Sequence, residues 1–148
     1  DLVRSRGLGD VYKRQGEDDS RKKLTNILKF SAESADKLSM SEGEQQIHLV
    51  HVDDLSRGFS MACEQVCSFN AGERRVYRLP SNQAVSVREL VAAFNAINPD
   101  HPVHMIWGER PYRRREVFQT WEAADILPGW WPTIDLPTGL RRLHIHQC

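Results

Sequence analysis

Long apolar runs are missing from this sequence. No stretch approaches the roughly 18 residues a membrane span requires, and no basic segment leads into an apolar one as in a secretory signal. Cysteine is scarce. Cys63, Cys67 and Cys148 form an odd set without framework spacing, which excludes a disulfide scaffold and fits a reducing compartment such as the cytoplasm. Excess charge is missing too. Twenty Lys and Arg balance twenty Asp and Glu, so no bulk field draws the chain to nucleic acid or an anionic membrane. There is no internal repeat and no low-complexity tract. The remaining composition, 40% hydrophobic and 27% charged over 148 residues, suits one domain with a core.

Asp1 to Gln15 (DLVRSRGLGDVYKRQ) has neither helical nor strand periodicity, and its DVYKRQ ending resembles translated adapter sequence. We expect residues 1–15 to be a disordered, extraneous leader and residues 16–148 to fold. A native basic tail is the plain alternative.

Leu24, Ile27, Leu28, Ala32 and Ala35 recur at helical spacing, which predicts a helix from Arg21 to about Ala35. Lys37 to Ser41 reads as a short strand, and Gly43 as a turn. Ile47 to Val52 (IHLVHV) is rich in β-branched residues and predicts a buried strand. Asp53 or Asp54 is expected to cap the next helix, with Leu55, Phe59, Ala62, Cys63 and Val66 on its inner face. Val76 to Leu79 reads as a strand. Ser86 and Glu89 have capping-box spacing, opening a helix with Leu90, Val91, Phe94 and Ile97 inward. Pro102 to Trp107 follows as a strand, Trp121 to Leu127 as a short helix. Asp135 is expected to cap a last helix that buries Leu136, Leu140 and Leu143, with Trp130 anchoring the turn before it. Short strands alternating with helices give an α/β class. Only three or four short strands are available, and few helices to cover both faces of a parallel sheet, so the pattern is that of part of a fold.

One cluster stands out chemically. Arg110 and Arg113 to Arg115 follow a strand and a proline, and guanidinium forks suit diphosphate oxygens better than ammonium groups do. The bland reading is a solvated loop whose surface ion pairs contribute little. Other candidates are weaker. Cys63 and Cys67 lie one helical turn apart but lack a second pair at zinc spacing. His48 and His51, three apart on a strand, point to opposite faces. His144, His146 and Cys148 belong to a fraying terminus. No metal site is expected.

Four segments in order carry a resemblance. GEDDSRKK at 16–23 is similar to the tail of N-x-Y-G-P-G-D-x-R-x-K. SEGEQ at 41–45 with IHLVHVDD at 47–54 resembles S-x-G-E-Q-x-x-D-[FL]-[VI]-x-[VI]-D-D. PYRRREV at 111–117 resembles P-Y-R-x-x-E-V, and LPGWWP through Gly139-Leu140 resembles L-x-G-W-x-P-x-x-x-L-x-x-G-L. Residues 16–143 are thus similar to the C-terminal half of extended short-chain dehydrogenases/reductases, the NAD-dependent epimerase/dehydratase family. The resemblance implies a C-terminal fragment of a Rossmann-like fold that binds a nucleotide-diphosphate sugar. In the family, the arginine matching Arg113 contacts the diphosphate and the acid matching Glu116 accepts from a ribose hydroxyl. Tyr112 is a candidate wall of the pocket. Leu38 to Met40 matches the strand beside the base, so Leu38 and Met40 are further candidates, with plain core packing as the rival reading. Ile47-His48 departs from the Arg-Asp pair many relatives carry there, which puts that phosphate contact in doubt.

The catalytic parts of the family are not found. The cofactor turn should be glycine-rich and join a strand to a helix. Gly7-Leu8-Gly9 follows no strand, and Tyr12, Tyr77 and Tyr112 are followed four residues on by Gly16, Ser81 and Glu116, never by Lys. The expectation is a chain with no catalytic residue that binds no cofactor by itself. The parent would hold NAD or NADP and use a tyrosine as acid/base at hexose C4. It would be a deoxysugar reductase or 4-epimerase, with a 4,6-dehydratase as near neighbour. Its partners would be the missing N-terminal Rossmann half and, as homodimer, a second copy. Two other classes stay open. A small non-enzymatic binding domain would have a closed core without a large exposed apolar face. A nucleic-acid module would bind through Arg110 to Arg115 with steep salt dependence.

Overall fold

A computed structural model describes residues 23–143 and the backbone of residues 12–15. β1 (Tyr12–Gln15) lies in the segment expected to be a leader; it pairs in parallel with β3 (Gln46–His51). The sequence reading anticipates no strand there. A parallel ladder is made by backbone groups, and an extended tetrapeptide supplies them whatever its side chains. Residues 16–22 and 144–148 lie outside the described residues, and with them the GEDDSRK stretch and the terminal His and Cys.

β3 is the organising strand. Its other edge takes β5 (Val85–Ser86) antiparallel, giving the order β1-β3-β5. Successive side chains point to opposite faces, and Leu49 and Val50 enter different cores. The larger core joins Leu49 to Leu24 and Leu28 of α1 (Leu24–Ser34), Leu90 and Phe94 of α3 (Val87–Ile97), and Leu140 of α4 (Leu136–Arg141). The smaller joins Val50 to Leu55 of α2 (Val52–Val66), Leu79, Leu127 and Trp130. A strand covered on both faces explains the unbroken apolar run of its sequence. Two parallel pairs complete the structure. β2 (Leu38–Ser39) pairs with β6 (Met105–Ile106), and β4 (Tyr77–Arg78) with β7 (Asp125–Ile126).

The helix starts follow their caps. Ser86 Oγ accepts from Glu89 N–H while the Glu89 carboxylate accepts from Ser86 N–H, the reciprocal box the spacing predicts. Asp135 accepts from Thr138 N–H at 2.8 Å. Trp130 is buried and donates Nε1–H to Pro80 O at 3.0 Å, the anchor expected of it.

Three expectations are corrected. The cap of α2 is His51, whose Nδ1 accepts from Asp53 N–H at 3.2 Å, not an aspartate. The helix begins one residue earlier than its acidic pair suggests, so both carboxylates fall in the first turn. Its buried face is Asp54, Leu55 and Gly58; Phe59, Cys63 and Val66 are exposed. Gly58 lets the helix seat on Trp130 and Leu79, whose atoms would stand 2.7 and 2.8 Å from any Cβ there, and that approach fixes the rotation. Trp121 to Leu127 is no helix: Asp125–Ile126 is β7, held by Leu127 N–H to Arg78 O and Arg78 Nε to Ala124 O. Tertiary pairing outweighs the weak propensity of so short a segment.

Candidate nucleotide site

The arginine-rich segment lies along the 40–46 loop and is tied to it three times. Arg110 N–H donates to Met40 O at 3.2 Å, Glu44 N–H to Tyr112 Oη at 3.2 Å, and Gln46 N–H to Phe118 O at 3.0 Å. Tyr112 also meets Phe118 edge-on, ring centres 4.7 Å apart. β2 and β6 set the other end of this contact, with Leu38 N–H to His104 O and Met40 N–H to Ile106 O.

The anticipated residues divide: Arg113, Glu116 and Tyr112 lie on this segment, and Leu38 and Met40 turn toward the larger core. Arg113 and Glu116 close one tight turn through Glu116 N–H to Arg113 O at 2.9 Å, which puts a cation and a carboxylate three residues apart on one loop. Arg113 is exposed, and among the described residues no carboxylate pairs with it or with Arg110, Arg114 or Arg115. An unpaired guanidinium cluster is what an anionic ligand needs. Tyr112 is half-buried and spends its hydroxyl on the Glu44 amide. Leu38 and Met40 are half-buried and pack against the larger core. Ser39 between them faces the other way and donates to the Glu109 carboxylate.

Several participants were not read from the sequence. Trp107, Glu42 and Arg88 interlock the two segments, with Arg88 stacked 4.5 Å from the Trp107 ring centre and 2.8 Å from Glu42 Oε2. Gly43, the turn expected from the sequence, and Gly108, not singled out there, have φ of +74° and +77°. Gln45 is buried with its Oε1 unpartnered. That loss weighs 1–3 kcal/mol, roughly, for a buried acceptor.

Two buried groups off this site explain other sequence features. Asp54 accepts from Thr133 Oγ1 and N–H, Ile134 N–H and Arg57. Burial pushes its pKa up, and these donors together outweigh burial and hold it below the ordinary carboxylate value. Arg57 in turn sits between Trp130 and Trp131, 5.1 and 5.6 Å from their ring centres. His48 Nδ1 meets Ser81 Oγ at 2.8 Å, and that hydroxyl donates to Gln83 O at 2.7 Å. With its proton so engaged, Ser81 is no nucleophile for His48 to activate. Among the described residues no three His, Cys, Asp or Glu side chains converge on a possible metal position, and no helix is long and apolar enough to cross a membrane.

Comparison with protein-family models found no match, and comparison with curated proteins found none either. Solved structures do match. UDP-glucuronic acid 4-epimerase from Bacillus cereus, in complex with UDP-glucuronic acid and NAD, superposes with a TM-score of 0.71 at 20% identity. It shares the fold over 88% of this chain and 41% of its own. UDP-glucose 4-epimerase from Thermotoga maritima, with UDP-glucose, gives 0.65 at 19% identity over the same shares. RMD from Pseudomonas aeruginosa, complexed with NADPH, gives 0.63 at 18% over 88% and 44%. The chain has part of a nucleotide-sugar epimerase fold. It spans about two-fifths of the length of these enzymes, and at these identities the likeness is one of fold.

Proposed function

We propose that this chain is the nucleotide-sugar-binding portion of an NAD(P)-dependent epimerase, reductase or dehydratase acting at hexose C4. The observation that carries the reading is the Arg113–Glu116 turn: free guanidinium groups and a carboxylate, tied to the 40–46 loop, on a fold shared with enzymes solved with UDP-sugars. Arg113 would take the diphosphate and Glu116 a ribose hydroxyl. Tyr112 would form a wall. Leu38 and Met40 would act from behind, by supporting β2.

The dinucleotide does not fit the described residues. Both junctions where a strand runs directly into a helix, His51–Val52 and Ser86–Val87, lack glycine. At the first, Asp53 N–H donates to His51 Nδ1; at the second, Glu89 N–H donates to Ser86 Oγ and Arg88 N–H to Gly43 O, and Glu89 adds a negative charge there. Neither junction has the glycine-rich turn on which a pyrophosphate cradle is built. In this reading NAD or NADP is held by a Rossmann half that this chain does not supply, and the chain alone does not turn over substrate. A cytoplasmic site of action and a homodimeric parent belong to the same reading.

A second reading, a self-contained binding domain, meets an obstacle. Val52, Phe59 and Val66 are 39, 50 and 59% exposed and recur at helical spacing with Cys63. Such a stripe fits a surface made to be covered. The test is titration of UDP-glucose into the protein. Arg113→Ala should weaken binding by about 2 kcal/mol, the contribution of a charged hydrogen bond, or roughly 30-fold. Unchanged affinity would remove Arg113 from the site. Loss of binding that follows the salt concentration steeply, and is shared by single-stranded DNA, would favour a nucleic-acid module.

A further inference from the structure

We propose that Arg88 is a positioning residue for this site, locking the 41–44 loop against the 107–112 segment; the inference rests on the nucleotide-sugar reading above.

The two segments are seated in each other. The Trp107 ring lies on Gly43, where a Cβ would overlap it, and the Glu42 carboxylate lies on Gly108 in the same way. Both glycines have positive φ, a conformation L side chains rarely adopt. Each loop therefore leaves a gap that only the other fills. The interlock is reciprocal.

Arg88 fastens it from outside both segments. It stands in the first turn of α3 and reaches three residues at once. Its N–H donates to Gly43 O at 3.2 Å, its Nε to Glu42 O, and its Nη2 to Glu42 Oε2 at 2.8 Å. The same guanidinium covers the Trp107 ring. Its charge is thus already met by Glu42, unlike that of Arg113, so Arg88 acts on geometry and not on the ligand. The segment it fixes continues through Met40–Arg110 and Glu44–Tyr112 into the Arg113–Glu116 turn. A ligand that needs both loops in register gains affinity when their arrangement is set beforehand. Truncating Arg88 leaves α3 intact, because the Ser86–Glu89 box caps that helix independently and the backbone N–H to Gly43 survives.

The experiment is an NMR titration of the protein with UDP, with amide hydrogen exchange at Glu44 and Met40, on wild type, Arg88→Ala, Arg88→Lys and Arg113→Ala. Arg88→Ala should weaken UDP binding about tenfold and speed exchange at Glu44 and Met40 while amides of α3 keep their protection. Arg88→Lys keeps a charge for Glu42 but loses the planar stack, and should fall between. Arg113→Ala should weaken binding without changing exchange at Glu44. Wild-type affinity in Arg88→Ala overturns the positioning role and leaves the nucleotide reading standing. A wild type that does not bind UDP, with exchange at Glu44 still set by Arg88, overturns both and reduces the interlock to a structural clasp. Should Arg88→Ala fail to fold, Glu42→Gln, which removes only the charge partner, is expected to weaken UDP in the same direction; wild-type affinity there overturns the proposal.

Discussion

Asp54 is a carboxylate that sequence logic assigns to a helix cap and the fold uses as the hub of the 131–134 turn. Its neighbours in sequence give no hint of Thr133 and Ile134, which lie about eighty residues on, so this role was illegible. Asp54→Asn should destabilise the protein by about 3 kcal/mol in urea denaturation, since buried donors lose an ionised acceptor. Its folded pKa is depressed, so its stabilisation is present above the unfolded value near ~3.9 and is lost as pH falls through the folded value. The variant should show a shallower acid limb than wild type. His48 works at a higher pH. Burial, helped by the Arg78 guanidinium and opposed by Glu122, lowers its pKa. The folded state then binds fewer protons than the unfolded one. Stability is complete above the unfolded value near ~6.5 and declines as pH drops toward the folded value. His48→Gln should flatten that part of the stability profile; an unchanged profile would mean the imidazole does not titrate on unfolding.

Elements with a chemical start signal were legible, and so were the short strands β2, β4 and β6, each inside a longer predicted strand; β1 and β7 were not. The box at Ser86, the cap at Asp135 and the β-branched run of β3 each specify their own structure locally. Ser86→Ala should cost about 1 kcal/mol, read as a lower urea midpoint with unchanged slope. β1, β7 and the rotation of α2 are set by distant backbone or by the Gly58 seat on Trp130, which no periodicity encodes. The apolar residues of α2 divide between two faces, which helical spacing alone merges into one. Its outer stripe has its own consequence. Phe59→Lys with Val66→Lys should raise the solubility of this chain and leave its unfolding midpoint unchanged, because neither side chain contributes to the core. A large loss of stability in that pair would place the stripe inside the fold.

At the scale of the molecule, β3 is buried on both faces and divides the core, while the rest of its sheet is one four-residue strand and one two-residue strand. The α/β class and the presence of part of a larger architecture were legible from the alternation of short strands with helices. Of the candidate residues, Arg113 and Glu116 share a turn with Tyr112 beside them, a proximity their spacing in sequence already gives. Leu38 and Met40 turned toward the core because Ser39 takes the outward face of β2. The interlock of Gly43 with Trp107 was hidden, because it joins residues more than sixty positions apart. We propose a phosphate-gripping surface that works against a separate dinucleotide-binding half. Sequencing the native gene upstream of residue 16 tests that most directly. The expected result is an in-frame glycine-rich strand-to-helix turn followed by a Tyr-x-x-x-Lys pair. A native reading frame that starts at residue 1, with neither motif before it, would contradict it.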